Sequence, residues 1–320
     1  MDPHCCESWG GILEFHQARA VAGTSEPASR PARFEIPFRA DIEALRGIAV
    51  LAVVLYHAFP DVVRGGFLGV DVFFVLSGFL ITQLLLRELE ATGRIDLLAF
   101  WGRRFRRIAP AAIFVVLAVA ALSFAFFALD GKRLGRHMIA AALSYYNWRQ
   151  VSLSVDYLAK DDASNPLMHY WSLSVEEQFY VIWPLFLLCI VMLGARRPTL
   201  TICAALLAAL SFALAMYFAA TEPSRAFFGT DARAWQLLAG ALVAMVPLRP
   251  VFAGKDIAAG AAIAVLALCC ATMTGQPAAF ALVPTIATAM VLWIGADWLA
   301  APPLRYLGRV SFSWYLWHWR

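Results

Sequence analysis

Residues 42–59 read IEALRGIAVLAVVLYHAF, an apolar run interrupted by Glu43, Arg46 and His57. Eleven positions separate Arg46 from His57. At about 100° per residue, eleven steps end roughly 20° from a whole number of turns, so both side chains share one face of a helix. The rise of about 1.5 Å per residue sets them roughly 16 Å apart, about half the hydrocarbon thickness of a bilayer. Ionisable groups inside a span are costly, and they mark functional positions by default. The competing reading makes Arg46 an anchor at the cytosolic helix end and leaves His57 in the outer interface. The stacking of the two on one face favours function.

Working outward, the whole chain reads as a polytopic membrane protein. It is 61% hydrophobic and 15% charged, with a mean hydropathy of +0.68. An ordinary soluble domain carries about 25% charge. The net charge of +4 does not argue for nucleic acid, because the basic residues cluster at the ends of apolar runs. Of six cysteines, Cys5 and Cys6 lie in the N-terminal tail and the rest in apolar segments. Neither a disulfide framework nor a Cys/His pattern with zinc spacing follows, so no metal is expected.

Residues 1–37 lack apolar periodicity and the apolar core of a signal peptide, which predicts a disordered cytoplasmic tail. The remainder, 38–320, reads as one all-α transmembrane domain. Its apolar runs are Ile42–Phe59, Phe67–Leu86, Ile108–Leu129, Trp171–Leu193, Leu200–Ala220, Ala234–Val246, Ile257–Met273 and Ala278–Leu299. Each suits a bilayer of about 30 Å, although Ala234–Val246 needs its flanks. Arginines and lysines orient them: Arg30, Arg33 and Arg39 precede the first run, and Arg87 to Arg107 fill the second connection. Arg196–Arg197, Arg249 with Lys255, and Arg305 with Arg309 mark three more cytoplasmic sides. These agree only if Met138–Trp148 does not cross, so that segment is expected to be a half-entering or interfacial helix on the outer face. The stretch Arg149–His169, with Lys160, Asp161, Asp162 and Pro166, is then the main outer loop. Ser311–Arg320 begins a ninth run of which ten residues cover only about 15 Å. The expectation is a bundle of eight complete spans, a truncated ninth, and further apolar sequence beyond Arg320.

Three further stretches carry chemistry. Gly65-Gly66-Phe67-Leu68-Gly69-Val70-Asp71 opens the second run, and its small residues, with Gly78, allow close helix approach. Asp71 is either a carboxylate favoured by the helix dipole or a partner for His57, fixing its tautomer and raising its basicity. Arg103-Arg104-Phe105-Arg106-Arg107 holds more arginines than anchoring requires. Arg104 and Arg107 lie one turn apart and can converge on phosphates such as those of coenzyme A. His169-Tyr170-Trp171-Ser172-Leu173-Ser174-Val175-Glu176-Glu177-Gln178-Phe179-Tyr180 joins an interfacial aromatic belt to paired carboxylates. Glu177 is a candidate for binding or orienting a polar acceptor, or else a first-turn carboxylate favoured by the dipole. His318 would stand at the depth of His57 if their spans are neighbours.

These blocks together resemble the acyltransferase-3 family, integral membrane O-acyltransferases that modify bacterial surface polysaccharides such as lipopolysaccharide O-antigen. The carriers are Arg46…His57, Gly69-Val70-Asp71-Val72-Phe73-Phe74-Val75-Leu76-Ser77-Gly78, the arginine block ending in Pro110, Trp171 to Tyr180, and Tyr315-Leu316-Trp317-His318. They run collinearly over about residues 39–320, with Arg320 where the family usually has Pro. The resemblance implies His57 as the catalytic residue of the Arg-x10-His element and Arg104 with Arg107 as its Arg-x-x-Arg element. It further implies cytosolic acyl-CoA, acetyl-CoA foremost, as donor and a surface polysaccharide or lipid-linked sugar as acceptor. A multi-pass place in the bacterial cytoplasmic membrane also follows, and some members of the family carry a fused or separate extracytoplasmic domain. The expected site is thus His57, Arg46 and Asp71 for catalysis; Arg46, Arg104 and Arg107 for the donor; and Glu177, Trp171 and His318 for the acceptor. His57 would act as general base or as acyl carrier. The reading from another class is a proton-coupled secondary transporter using His57 and Asp71, against which no internal repeat is visible.

Overall fold

The computed structural model describes residues 38–126, 131–154, 165–250, 252–275 and 280–318. The expected tail at 1–37, the outer-loop residues Lys160 to Asp162, and Arg320 lie outside the described residues. Within them the chain is all helical: α1 (Ala40–Ala58), α2 (Gly69–Thr92), α3 (Leu97–Phe126), α4 (Gly131–Ala142), α5 (Tyr146–Ser152) and α6 (Tyr170–Met192). There follow α7 (Arg197–Thr221), α8 (Pro223–Phe228), α9 (Thr230–Met245), α10 (Lys255–Thr272), α11 (Leu282–Ile294) and α12 (Pro302–Trp317). Short 3₁₀ turns cover Gly66–Leu68 and Asp297–Leu299.

Five stretches are long and apolar enough to cross a bilayer: Gly66–Thr92, Leu97–Ala125, Tyr170–Met192, Arg197–Thr221 and Lys255–Thr272. This is a multi-pass membrane protein. The other expected spans each fall short for a visible reason. α1 carries Asp41, Glu43 and Arg46 near its start. α9 has 16 residues, but it begins four positions before the expected run, at Thr230, and so takes Asp231 and Arg233 into the helix. α11 has 13 residues and stops where Gly295 turns to a φ of 83°. The expected single short helix Met138–Trp148 is also revised. Ser144, at φ 54°, breaks it into the end of α4 and the start of α5. The 12 residues of α4 and the seven of α5 are both too few to cross about 30 Å at about 1.5 Å per residue.

Two helix pairs form the frame. α1 packs along α12 and α2 along α9. Glycines permit both crossings. A Cβ on Gly308 would strike the backbone of Glu43, and one on Gly47 would strike the carbonyl of Leu304. In the second pair Gly78 faces the carbonyl of Leu237, and Gly240 faces that of Val75. Gly66 and Gly69 likewise lie against carbonyls of α1. Where lipid replaces water, association rests on packing, so such backbone approach is the main attraction available. Because α1 lies against α12, residues near the two C-terminal ends, His57 and His318, come together.

Candidate active site

His57 is in the last turn of α1. Its Nδ1 lies 2.8 Å from the carbonyl oxygen of Val53. A carbonyl can only accept, so Nδ1 carries a proton and the ring is held by that bond. His318, just past α12, repeats the pattern, with Nδ1 2.5 Å from the carbonyl of Tyr315. The His57 and His318 rings meet edge to face with centroids 4.8 Å apart. A third imidazole, His169, stands immediately before α6 and is 5.6 Å from His318. Tyr315 ties the group together. Its hydroxyl donates to the carbonyl of His169 at 3.0 Å and lies 2.5 Å from Ser172 Oγ.

On the other side of Tyr315 opens a narrow cleft with about 90 Å³ of space open to a water-sized molecule. Arg104, Arg107 and Ile108 of α3 line one part of it; Arg46, Ser77 and Glu176 line the middle; Ser172, Phe73 and Tyr315 line the rest. Arg46 donates from Nε and Nη2 to Ser311 Oγ at 3.3 and 3.2 Å, which holds its guanidinium between α1 and α12. Glu176 Oε2 accepts from Ser77 Oγ at 2.9 Å and from the Tyr180 hydroxyl at 2.7 Å. The guanidinium of Arg104 lies over the rings of Phe100 and Tyr180, at 5.9 and 5.7 Å. Aromatic faces attract a guanidinium, and its fork of N–H donors matches the geometry of a phosphate. The result is a passage with a cationic mouth, a charged and hydroxylated waist and an aromatic end wall.

The structure therefore brings Arg46, Arg104 and Arg107 onto one cleft and His57 and His318 into one cluster. Three expected residues stand elsewhere. Asp71, expected beside His57, forms a buried ion pair with Arg233 of α9. That guanidinium also lies 5.5 Å from the ring of Phe74 and 5.6 Å from those of Trp171 and Phe227. Trp171, expected to meet the acceptor, is 1% exposed and packs against Phe74, Phe227 and Phe228. Glu177 is off the lining of the cleft; its neighbour Glu176, about 100° around the helix, is on it. Sequence reasoning missed His169, Ser172, Glu176 and Tyr315 as site residues, and Arg233 as the partner of Asp71. A lone Arg inside an apolar helix demands a carboxylate, and that demand was a signal for the last. Among the described residues, no group of three or more His, Cys, Asp or Glu is arranged to hold a metal.

An arginine-lined cleft thus ends at Tyr315, which also meets the histidine cluster. The acyltransferase-3 model, that of an acyltransferase domain, matches residues 39–319, and the chain belongs to this family. Among curated relatives it is 36% identical over 314 residues to the peptidoglycan O-acetyltransferase OatA of Listeria monocytogenes, covering 91% of this chain and 50% of that protein. To the O-acetyltransferase OatA of Staphylococcus aureus it is 34% identical over 302 residues, covering 87% of this chain and 49% of that one. The chain thus spans about half the length of these relatives. No solved structure matches.

Proposed function

We propose that this chain is the membrane domain of a bacterial O-acetyltransferase that moves an acetyl group from cytosolic acetyl-CoA to a hydroxyl of a cell-envelope glycan. The observation carrying the reading is the continuity of the cleft. It runs from Arg104 and Arg107 past Arg46 and Glu176 to Tyr315, whose far side touches the histidine cluster. The names of the two relatives support acetyl transfer and, for the Listeria protein, a peptidoglycan acceptor. The arginine-rich connections suit the cytosolic side and the His57 end the outer side of the cytoplasmic membrane.

In this reading Arg104 and Arg107 hold the phosphates of coenzyme A by charge-assisted hydrogen bonds. Arg46, anchored on Ser311, steadies the thioester arm at the waist. Nε2 of His57 takes the proton of the acceptor hydroxyl as that oxygen attacks the thioester carbonyl. The tetrahedral intermediate expels the coenzyme A thiolate, and the imidazolium returns the proton to it. An acyl-imidazole on the same nitrogen is the covalent variant. Either route uses the tautomer in which Nδ1–H is held by the Val53 carbonyl and Nε2 is the reacting nitrogen. The transport reading needs Asp71 as the relay partner of His57, and Arg233 engages Asp71 instead.

The test is acetyl-CoA turnover by the protein in membranes with glycan acceptors. His57→Ala is expected to lower the rate by about a hundredfold or more with the protein still present in the membrane. More than about a tenth of the wild-type rate remaining in that variant overturns the assignment, since losing a general base removes at least about a factor of a hundred.

A further inference from the structure

Tyr315 lines the cleft and also meets His318, at 5.1 Å between ring centroids. On its cleft side it is wedged. The ring of Phe73 on α2 meets it edge to face with centroids 6.3 Å apart. On another side Ser172 of α6 holds its hydroxyl at 2.5 Å, and the same hydroxyl donates to the carbonyl of His169. Two helices, α2 and α6, thus hold one ring of α12 across the end of the cleft. Aromatic rings with centroids about 4.5–7 Å apart are already in contact. An alkyl chain needs about 3.5–4 Å to carbon on each side of it, so none passes between Phe73 and Tyr315 as they stand.

Resting on the acyl-transfer reading, we infer that Phe73, Tyr315 and Ser172 form an acyl-length gauge. Because Phe73 and Tyr315 close the end of the cleft, an acyl group reaching towards His318 and His57 has to part the two rings, and a two-carbon group parts them least. Each added methylene must displace a ring that is packed on one face and hydrogen-bonded at its tip. Tyr315 cannot yield cheaply, because its hydroxyl would leave both Ser172 and the His169 carbonyl. Phe73, held by apolar contact alone, is the softer half of the wall and sets the limit.

The experiment compares acetyl-CoA with butyryl-CoA as donors for the full chain in membranes, reading released coenzyme A thiol. Tight apolar sites discriminate roughly ten- to two-hundredfold per methylene, so wild type is expected to favour acetyl by about a hundredfold or more in kcat/KM. Phe73→Ala is expected to cut that preference by about tenfold or more. Phe73→Leu, which keeps an apolar contact without the planar ring, should cut it by about threefold. If Phe73→Ala does not accumulate in membranes, the leucine variant decides. A wild-type preference below about threefold, or one unchanged in the variants, overturns the gauge while leaving acyl transfer standing. Absence of His57-dependent turnover with either donor overturns the underlying reading, and the gauge with it.

Discussion

Asp71 separates a catalytic from an architectural explanation of the same residue. It is 1% exposed, its partner Arg233 is 2% exposed, and the two bridge α2 and α9. Removing one member of a buried ion pair leaves an uncompensated charge and costs about 3–5 kcal/mol. Arg233 also faces three aromatic rings, each contact worth about 0.5–2 kcal/mol depending on its desolvation. Arg233→Ala forfeits these contacts as well as the pair, whereas Asp71→Ala strands the arginine among them. Both single variants should therefore melt well below wild type in detergent. At about 2–4 °C per kcal/mol for a chain of this order, the expected drop for either is roughly 6–20 °C. Replacing both by apolar residues, Asp71→Leu with Arg233→Met, removes the stranded charge and should recover most of the loss, as buried pairs are often dispensable together. Acetyl transfer should return with stability in the double variant. If Asp71→Ala melts within about 2 °C of wild type yet is inactive, the architectural account fails. It fails equally if the double variant is as stable as wild type but inactive, because Asp71 would then be needed for chemistry.

Replacing Arg104 and Arg107 together by Gln should raise the apparent KM for acetyl-CoA about ten- to a hundredfold, the equivalent of one or two charge-assisted phosphate contacts. An unchanged donor KM with a raised acceptor KM would place these arginines on the wrong substrate. Gly78→Ala should destabilise more than Gly93→Ala, measured by thermal melting in detergent. The first forces a methyl onto the carbonyl of Leu237, whereas the second meets no atom within 4 Å and bears only the left-handed strain of its φ of 69°, about 1–2 kcal/mol. The reverse order would show that α2 and α9 do not pack through these glycines.

The helical periodicity that aligns Arg46 with His57 is a local property, as is the one-turn spacing of Arg104 and Arg107, and both are legible in the sequence. The structure even lengthens the second case, since α3 begins at Leu97 and carries the arginines on its first turns. What is not legible is tertiary. Asp71 and Arg233 lie 162 positions apart, and nothing local distinguishes Arg233 from His57 as the partner of a carboxylate. The break at Ser144 is hidden because Met138–Trp148 has no glycine or proline to announce a turn. It is supported from a distance, by Gln178 Nε2 donating to the carbonyl of Ser144 at 2.8 Å. The glycines at 66, 69 and 78 signal close helix approach without saying which helices arrive.

The face of α6 shows how far the available signal reaches. Ser172, Glu176 and Tyr180 recur at intervals of four, within about 80° of one another on a helical wheel, and all three line the cleft. Trp171, Ser174 and Gln178 occupy the opposite arc. Trp171 packs with the core, Ser174 accepts from the backbone N–H of Tyr146, and Gln178 donates to Asn147 while accepting from Trp148 and Thr230. The paired carboxylates of the motif thus divide by angle alone. Glu176 turns its oxygen to the cleft hydroxyls of Ser77 and Tyr180, and Glu177 falls off that arc. Hydroxyl, carboxylate and phenol at four-residue spacing form one polar stripe, Ser174 and Gln178 form another on the far arc, and each polar stripe inside a membrane has to face a cavity or another polar group. Helical angle within this one segment therefore groups Ser172 with Glu176 and separates Glu177 from them, while the packing of α6 decides which stripe meets the cleft. The same logic that pairs Arg46 with His57 on α1 extends to the second wall of the site. Only the identity of the residue that closes the cleft, Tyr315, depends on knowing that α12 lies beside α1.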